Sequence, residues 1–239
     1  MKRIKEFKYL LLPLVVAVLI FFIPFSWLKP GEMDLGGDNS RLYFYEPIAY
    51  LVGQSLYSVS HSGLGGENLS YFGIPFFLLL AVVKSLVRSP TTLISIFHGF
   101  NMSLGFFSCY LIVKELLKND ENSQKKEWTI EAAGVLAGLF YTFSPNPIGS
   151  WAYPLLPMNQ VFLNPLLFFL LLRFFLTGTM RYIFAALLVT FFFAPNFSFL
   201  GAPTFFSFFP VAVLFLMIYT KVIKKKPIPW LKIVLSLIL

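Results

Sequence analysis

Charge is what this sequence has least of. Asp, Glu, Lys and Arg make up 13% of the chain, while 57% is hydrophobic and 19% aromatic. A soluble domain of 239 residues needs far more charge than that to cover its surface. The few charges are also confined: residues 9–28, 89–113, 132–172 and 182–220 hold none, and no Asp or Glu follows Glu131. Crossing a hydrocarbon core of about 30 Å takes roughly 20 helical residues, so the two longest gaps hold two spans each. Nothing alternates over the short lengths that a transmembrane barrel requires. Cysteine is almost missing. Cys109, alone and within a span, excludes an intrachain disulfide and a thiolate metal cluster. The expected fold class is all-α, a polytopic transmembrane helical bundle.

What is present first is a basic balance, +8 net. The basic residues sit beside apolar spans, where orientation and contact with the lipid bilayer explain them without a nucleic-acid partner. Lys2, Arg3, Lys5 and Lys8 precede the first span. That span ends in bulky Phe25, Trp27 and Leu28 without small cleavage-site residues, which reads as an uncleaved anchor. Candidate spans are 9–28, 91–113, 131–148, 160–177, 182–200 and 204–220, about six complete, with a truncated seventh near Trp230.

The stretch 70–87 is apolar but short, and whether it crosses decides the sidedness of everything after it. If it does not cross, 15 basic residues lie inside and only Lys29, Arg41, Lys84 and Arg88 lie outside. If it does, the count reverses to 6 inside and 13 outside. Lys and Arg favour the cytoplasmic side, so 70–87 is expected to be re-entrant or interfacial. The N-terminus is then cytoplasmic and residues 29–90 form a long extracytoplasmic loop in a single transmembrane domain over 1–239. The apolar run at 230–239 is too short to cross, which suggests the N-terminal part of a longer protein.

A proton-coupled transporter usually carries an ionisable residue within its spans. The candidates are His98, Lys84 and Arg173, and the last two sit near span ends where they can snorkel. His98 on an apolar helix is more often a packed residue than a relay. The outer loop carries more: Glu32, Asp34, Asp38, Glu46 and Glu67. Gly36 and Gly37 permit a tight turn before Asp38, and Asp38, Asn39 or Ser40 can cap a following helix. Tyr45, Ile48, Ala49, Val52 and Leu56 recur at helical spacing, and Pro47 suits the first turn of such a helix. The arrangement holds a carboxylate at the membrane surface above a lipid-facing helix. The blander reading makes Asp38 a helix cap and Asp34 a solvated loop charge.

A short cytoplasmic tail, one span and a long outer loop with an early aspartate resemble the GT-C superfamily of membrane glycosyltransferases. The likeness runs through Gly37-Asp38-Asn39-Ser40-Arg41, Glu46-Pro47-Ile48-Ala49-Tyr50-Leu51, Tyr71-Phe72-Gly73-Ile74-Pro75-Phe76-Phe77 and Ala137-Gly138-Leu139-Phe140-Tyr141-Thr142-Phe143-Ser144-Pro145. It covers about residues 9–175 and is most like the N-terminal membrane region of the α-(1→3)-arabinofuranosyltransferase group. Glu46 departs from the aspartate more usual before that proline.

The resemblance implies a GT-C-like bundle with an outer-face active site and a polyprenyl-phosphate sugar as donor. A cell-envelope glycan or glycolipid would be the acceptor. It implies that Asp38 is the catalytic base, with Asp34 a second candidate upstream. General-base help of this kind gives about 10²–10⁴-fold. The leaving phosphate needs positive charge, for which Arg41, Lys84 and Arg88 are candidates, with Glu46 a further substrate-binding candidate. Interfacial anchoring is the plainer role for Lys84. A divalent metal between Asp34 and Asp38, joined by His61, is left open, although no ligand set marks it. The other readings are a transporter or flippase for a lipid-linked or anionic substrate, and a catalytically inactive GT-C-like scaffold.

Overall fold

Long apolar runs punctuated by proline and glycine become helices wherever the computed structural model describes the chain, which is over residues 2–27, 42–52, 74–118, 127–144, 160–193, 203–225 and 233–234. Among these residues every regular element is helical. Helix α1 spans Lys2–Phe22 and passes into a tighter turn at Ile23–Ser26, where Pro24 withholds its N–H. A short turn, Leu42–Phe44, leads into α2, Pro47–Tyr50, and α3 follows at Ile74–Leu86. Helix α4 runs over Pro90–Lys118. Its start is written in the sequence: Ser89 Oγ accepts the Thr92 N–H at 3.3 Å, and Pro90 takes the first helical position, where a missing N–H costs nothing. Then come α5 (Glu127–Phe143), α6 (Gln160–Thr177), α7 (Arg181–Phe193) and α8 (Pro203–Ile218), the last ending in a wide turn at Tyr219–Ile223.

Helix α4 is the axis of the bundle, packed by α1, α5 and α6. Helix α1 lies antiparallel to it. Ser95 Oγ donates to the Pro24 carbonyl (3.4 Å) and Ser103 Oγ to the Ala17 carbonyl (2.7 Å), with Gly99 against the backbone of Phe21 between them. Helix α5 is also antiparallel to α4: Gly134 faces Tyr110 and Gly138 faces Phe106. At Gly138 an added Cβ would come within 2.6 Å of the Phe106 carbonyl oxygen, so the helices meet backbone to ring with no room for a side chain. Helix α7 begins at Arg181, near the C-terminal end of α4. It ends with Phe193 against Phe76, whose ring also meets Phe97 near the start of α4.

Trp27 and Pro90 therefore lie at the same end of the bundle, and the chain between them leaves and returns on one side. Helix α3 packs at this end through Phe76, Phe77 and Leu80, against Tyr43, Phe44, Leu93 and Ile94. The core of the other end comes from α6, α7 and α8, with Leu167, Leu171, Phe175, Ile183, Val213 and Leu216.

The outside of the bundle is apolar. Leu12, Leu19 and Phe22 of α1, Leu136 and Phe140 of α5, Phe184 and Leu188 of α7, and Val211 and Ile218 of α8 all face outward. Phe140 is 79% exposed while Glu131, one face round the same helix, is 8% exposed. Large apolar side chains thus face outward as well as into the core, unlike the single apolar stripe of a helix in a water-soluble bundle.

The expected count of about six complete spans is met at full length by one helix. Among the described residues only Pro90–Leu117 is both long and apolar enough to cross a membrane. Leu11–Ser26, Ile74–Leu86, Leu163–Thr177, Arg181–Phe193 and Pro210–Val222 are shorter apolar helices. One reason is local. The expected span 131–148 stops at Phe143, because Pro145 disfavours helical backbone at Ser144. Of the helix expected around 45–56, Pro47–Tyr50 is helical, with Pro47 opening it and Glu46 before it making no side-chain cap bond, and residues 53–56 lie outside the described residues. Ile48, Ala49 and Val52 point outward, whereas Tyr45 turns in against the core.

Candidate functional site

Two clusters flank the bundle, an aromatic one where α4 begins and a charged one at its far end. At the end where α4 begins, the turn at Leu42–Phe44 drives Tyr43 and Phe44 almost completely out of solvent. Tyr43 lies 5.7 Å from both Tyr50 and Phe77, ring centre to ring centre. Phe44 lies 5.3 Å from Phe97, and Tyr50 lies 5.0 Å from Phe77. Offset and edge-on aromatic pairs at these separations add about 0.5–1.5 kcal/mol each beyond their burial, enough to fix where the chain enters α2. Burial also pushes the Tyr50 phenol above its usual pKa, so it remains a neutral hydroxyl. Trp27 and His98 meet at 6.0 Å at this same end, which makes His98 a packed ring.

Of the six candidate site residues, Asp34, Asp38 and Arg41 lie outside the described residues, as does His61. Glu46 is exposed at the head of α2. Lys84 is occupied: its ammonium donates to the Arg88 carbonyl at 2.5 Å and so caps the C-terminal end of α3. Arg88 itself is exposed. Among the described residues neither base pairs with Glu46. No group of three or more His, Cys, Asp or Glu able to hold a metal occurs among the described residues.

At the far end of α4 the bundle carries two ion pairs. The Tyr110 hydroxyl donates to Glu131 Oε2 at 2.5 Å, and the Lys114 ammonium contacts Glu131 Oε1 and donates to the Tyr110 oxygen at 2.7 Å. At the next residue of α4, Glu115 Oε1 accepts from Arg173 Nη1 at 2.6 Å. Arg173 also donates from Nε and Nη2 to the Tyr182 oxygen at 3.2 and 3.1 Å, and Arg181 Nη2 donates to the same oxygen at 3.0 Å. These groups tie α4 to α5, α6 and α7 at one level.

Sequence reasoning assigned Lys114, Arg173 and Arg181 to loops and span ends and missed their partners. The available signal was Lys114 and Glu115 at the edge of an apolar run, facing Glu131 at the edge of another. Charges so placed need counter-charges. Comparison with family models, with curated proteins and with solved structures gives no match to this chain.

Proposed function

We propose that this chain is the membrane region of a glycosyltransferase that takes a sugar from a polyprenyl-phosphate donor. It passes that sugar to a cell-envelope glycan or glycolipid on the extracytoplasmic face. The reading of the bundle that goes with it has α1, α4, α5, α6, α7 and α8 crossing and α3 lying at the outer surface. The observation that carries the proposal is the meeting of the α1 and α4 ends. Residues 28–89, which include Asp34, Asp38 and Arg41, leave and return on one side, and Lys114, Arg173 and Arg181 gather at the opposite end. Such an arrangement agrees with the basic-residue asymmetry, and the apolar exterior agrees with a lipid surround.

In this reading Asp38, five residues before the anchored Tyr43, takes the proton from an acceptor hydroxyl as that oxygen attacks the anomeric carbon. Polyprenyl phosphate leaves. Arg41 and Arg88 are the bases available to the departing phosphate, since Lys84 is engaged by the α3 terminus. The resemblance of Gly37–Arg41 and Glu46–Leu51 to GT-C enzymes supports these roles.

The test is sugar transfer from a polyprenyl-phosphate donor in membranes, with wild type and Asp38→Asn expressed at equal levels. Asparagine caps a helix about as well as aspartate but accepts no proton. Activity is expected to fall about 10²-fold or more with insertion unchanged. Full activity in Asp38→Asn would return this residue to helix capping.

A further inference from the structure

The connection between α6 and α7 is three residues long. Gly178 takes a φ of 72°, which glycine adopts without strain, and its N–H closes α6 on the Phe174 carbonyl at 2.7 Å. The tight turn brings Arg173 and Arg181 together on Tyr182. Their guanidinium centres lie 5.4 and 4.9 Å from its ring, and both donate to its single hydroxyl oxygen. One carboxylate, Glu115, serves Arg173. Arg181 is exposed, and its contacts among the described residues are with Tyr182. Two cations thus converge on one phenol oxygen, and the carboxylate beside them is paired with Arg173. Directly beyond Arg181 along α7 the surface turns apolar, with Phe184 65% and Leu188 61% exposed.

We propose that the α6–α7 turn is a phosphate-binding site for the head group of an anionic phospholipid. Arg181, assisted by Arg173, holds the phosphate, and the acyl chains run along Phe184 and Leu188. The planar guanidinium fork matches two phosphate oxygens, and an added anion balances the second cation. The apolar strip below the cations selects a lipid over free phosphate. The proposal rests on the membrane reading above and is independent of sugar transfer.

The experiment uses the full chain purified in neutral detergent, with bound lipid counted by native mass spectrometry. Short-chain phosphatidylglycerol, short-chain phosphatidylcholine and inorganic phosphate are the probes. Phosphatidylglycerol should bind about tenfold more tightly than phosphatidylcholine, and Arg181→Gln should weaken it about tenfold. Lys221→Gln, an exposed base on the turn after α8, should leave it within about twofold. Arg181→Lys keeps the charge without the fork and should bind several-fold more weakly than wild type, which guards against misfolding of the glutamine variant.

Equal binding by wild type and Arg181→Gln would overturn the site. Equal loss in Lys221→Gln would replace it with diffuse attraction, and inorganic phosphate competing as well as the lipid would overturn the choice of ligand. Failure of the membrane reading shows separately, as release of the protein into solution by a detergent-free alkaline wash.

Discussion

Glu131 is almost out of solvent, and two donors meet its carboxylate: the Tyr110 hydroxyl on one oxygen, the Lys114 ammonium on the other. Removing one partner of a fully buried pair costs about 3–5 kcal/mol. Here the charge left behind by loss of Glu131 is Lys114, whose side chain is 25% exposed, so the cost is smaller. Glu131→Gln is therefore expected to destabilise by about 1–3 kcal/mol, read as a lowered unfolding midpoint in detergent. The double change Lys114→Met with Glu131→Leu should recover most of the loss, and a double-mutant cycle measures the coupling. Asp34 and Asp38 can be separated at the same scale. Asp34→Asn should reduce transfer less than Asp38→Asn if each acts alone. If a divalent ion bridges them, both changes become severe and added metal partly restores Asp34→Asn.

Helix α5 presents Gly134 and Gly138 to α4, four residues apart, so both fall on one face. Alanine is the better helix former by about 1 kcal/mol. At Gly138, however, its Cβ would meet the Phe106 carbonyl at 2.6 Å and the Phe106 ring at 2.7 Å, and a backbone oxygen yields only if the helices separate. Gly138→Ala should therefore lower stability by about 1–3 kcal/mol despite its propensity. Leu136→Ala, on the outward face of the same helix, should change it by about 0.5 kcal/mol or less. The helices themselves were legible in the sequence. Their apolar length and absence of charge announce them, and the bounds of α6 coincide with the expected 160–177. Lost from view was what each helix faces. The Gly134–Gly138 spacing is visible in a single line of sequence, whereas Phe106 as its partner is not. In the same way Glu115 gives no sign of Arg173, because the pairing is set by how α6 returns to α4.

For the whole molecule, the proposed membrane topology turns on which side each connection occupies. A single cysteine at Asn122, in a chain whose Cys109 has been replaced, should resist an impermeant reagent in intact cells and react after permeabilisation. Labelling in intact cells would reverse the sidedness of every helix after α3. The candidate catalytic acids were legible only as residues before a helix in a loop, and the resemblance rather than periodicity gave them roles. Long-range pairing carries a further consequence, in time. The Tyr110–Glu131 bond joins residues 21 apart in the chain, while Arg173 follows Glu115 by 58. At a synthesis rate of about 5–20 residues per second, roughly 3–12 s pass between the appearance of Glu115 and that of its cation. Helix α4 can close on α1 and α5 within that interval, and α6 and α7 then dock onto a carboxylate that has been waiting for them. Synthesis thus supplies the arginine pair after its carboxylate, with α8 still to follow.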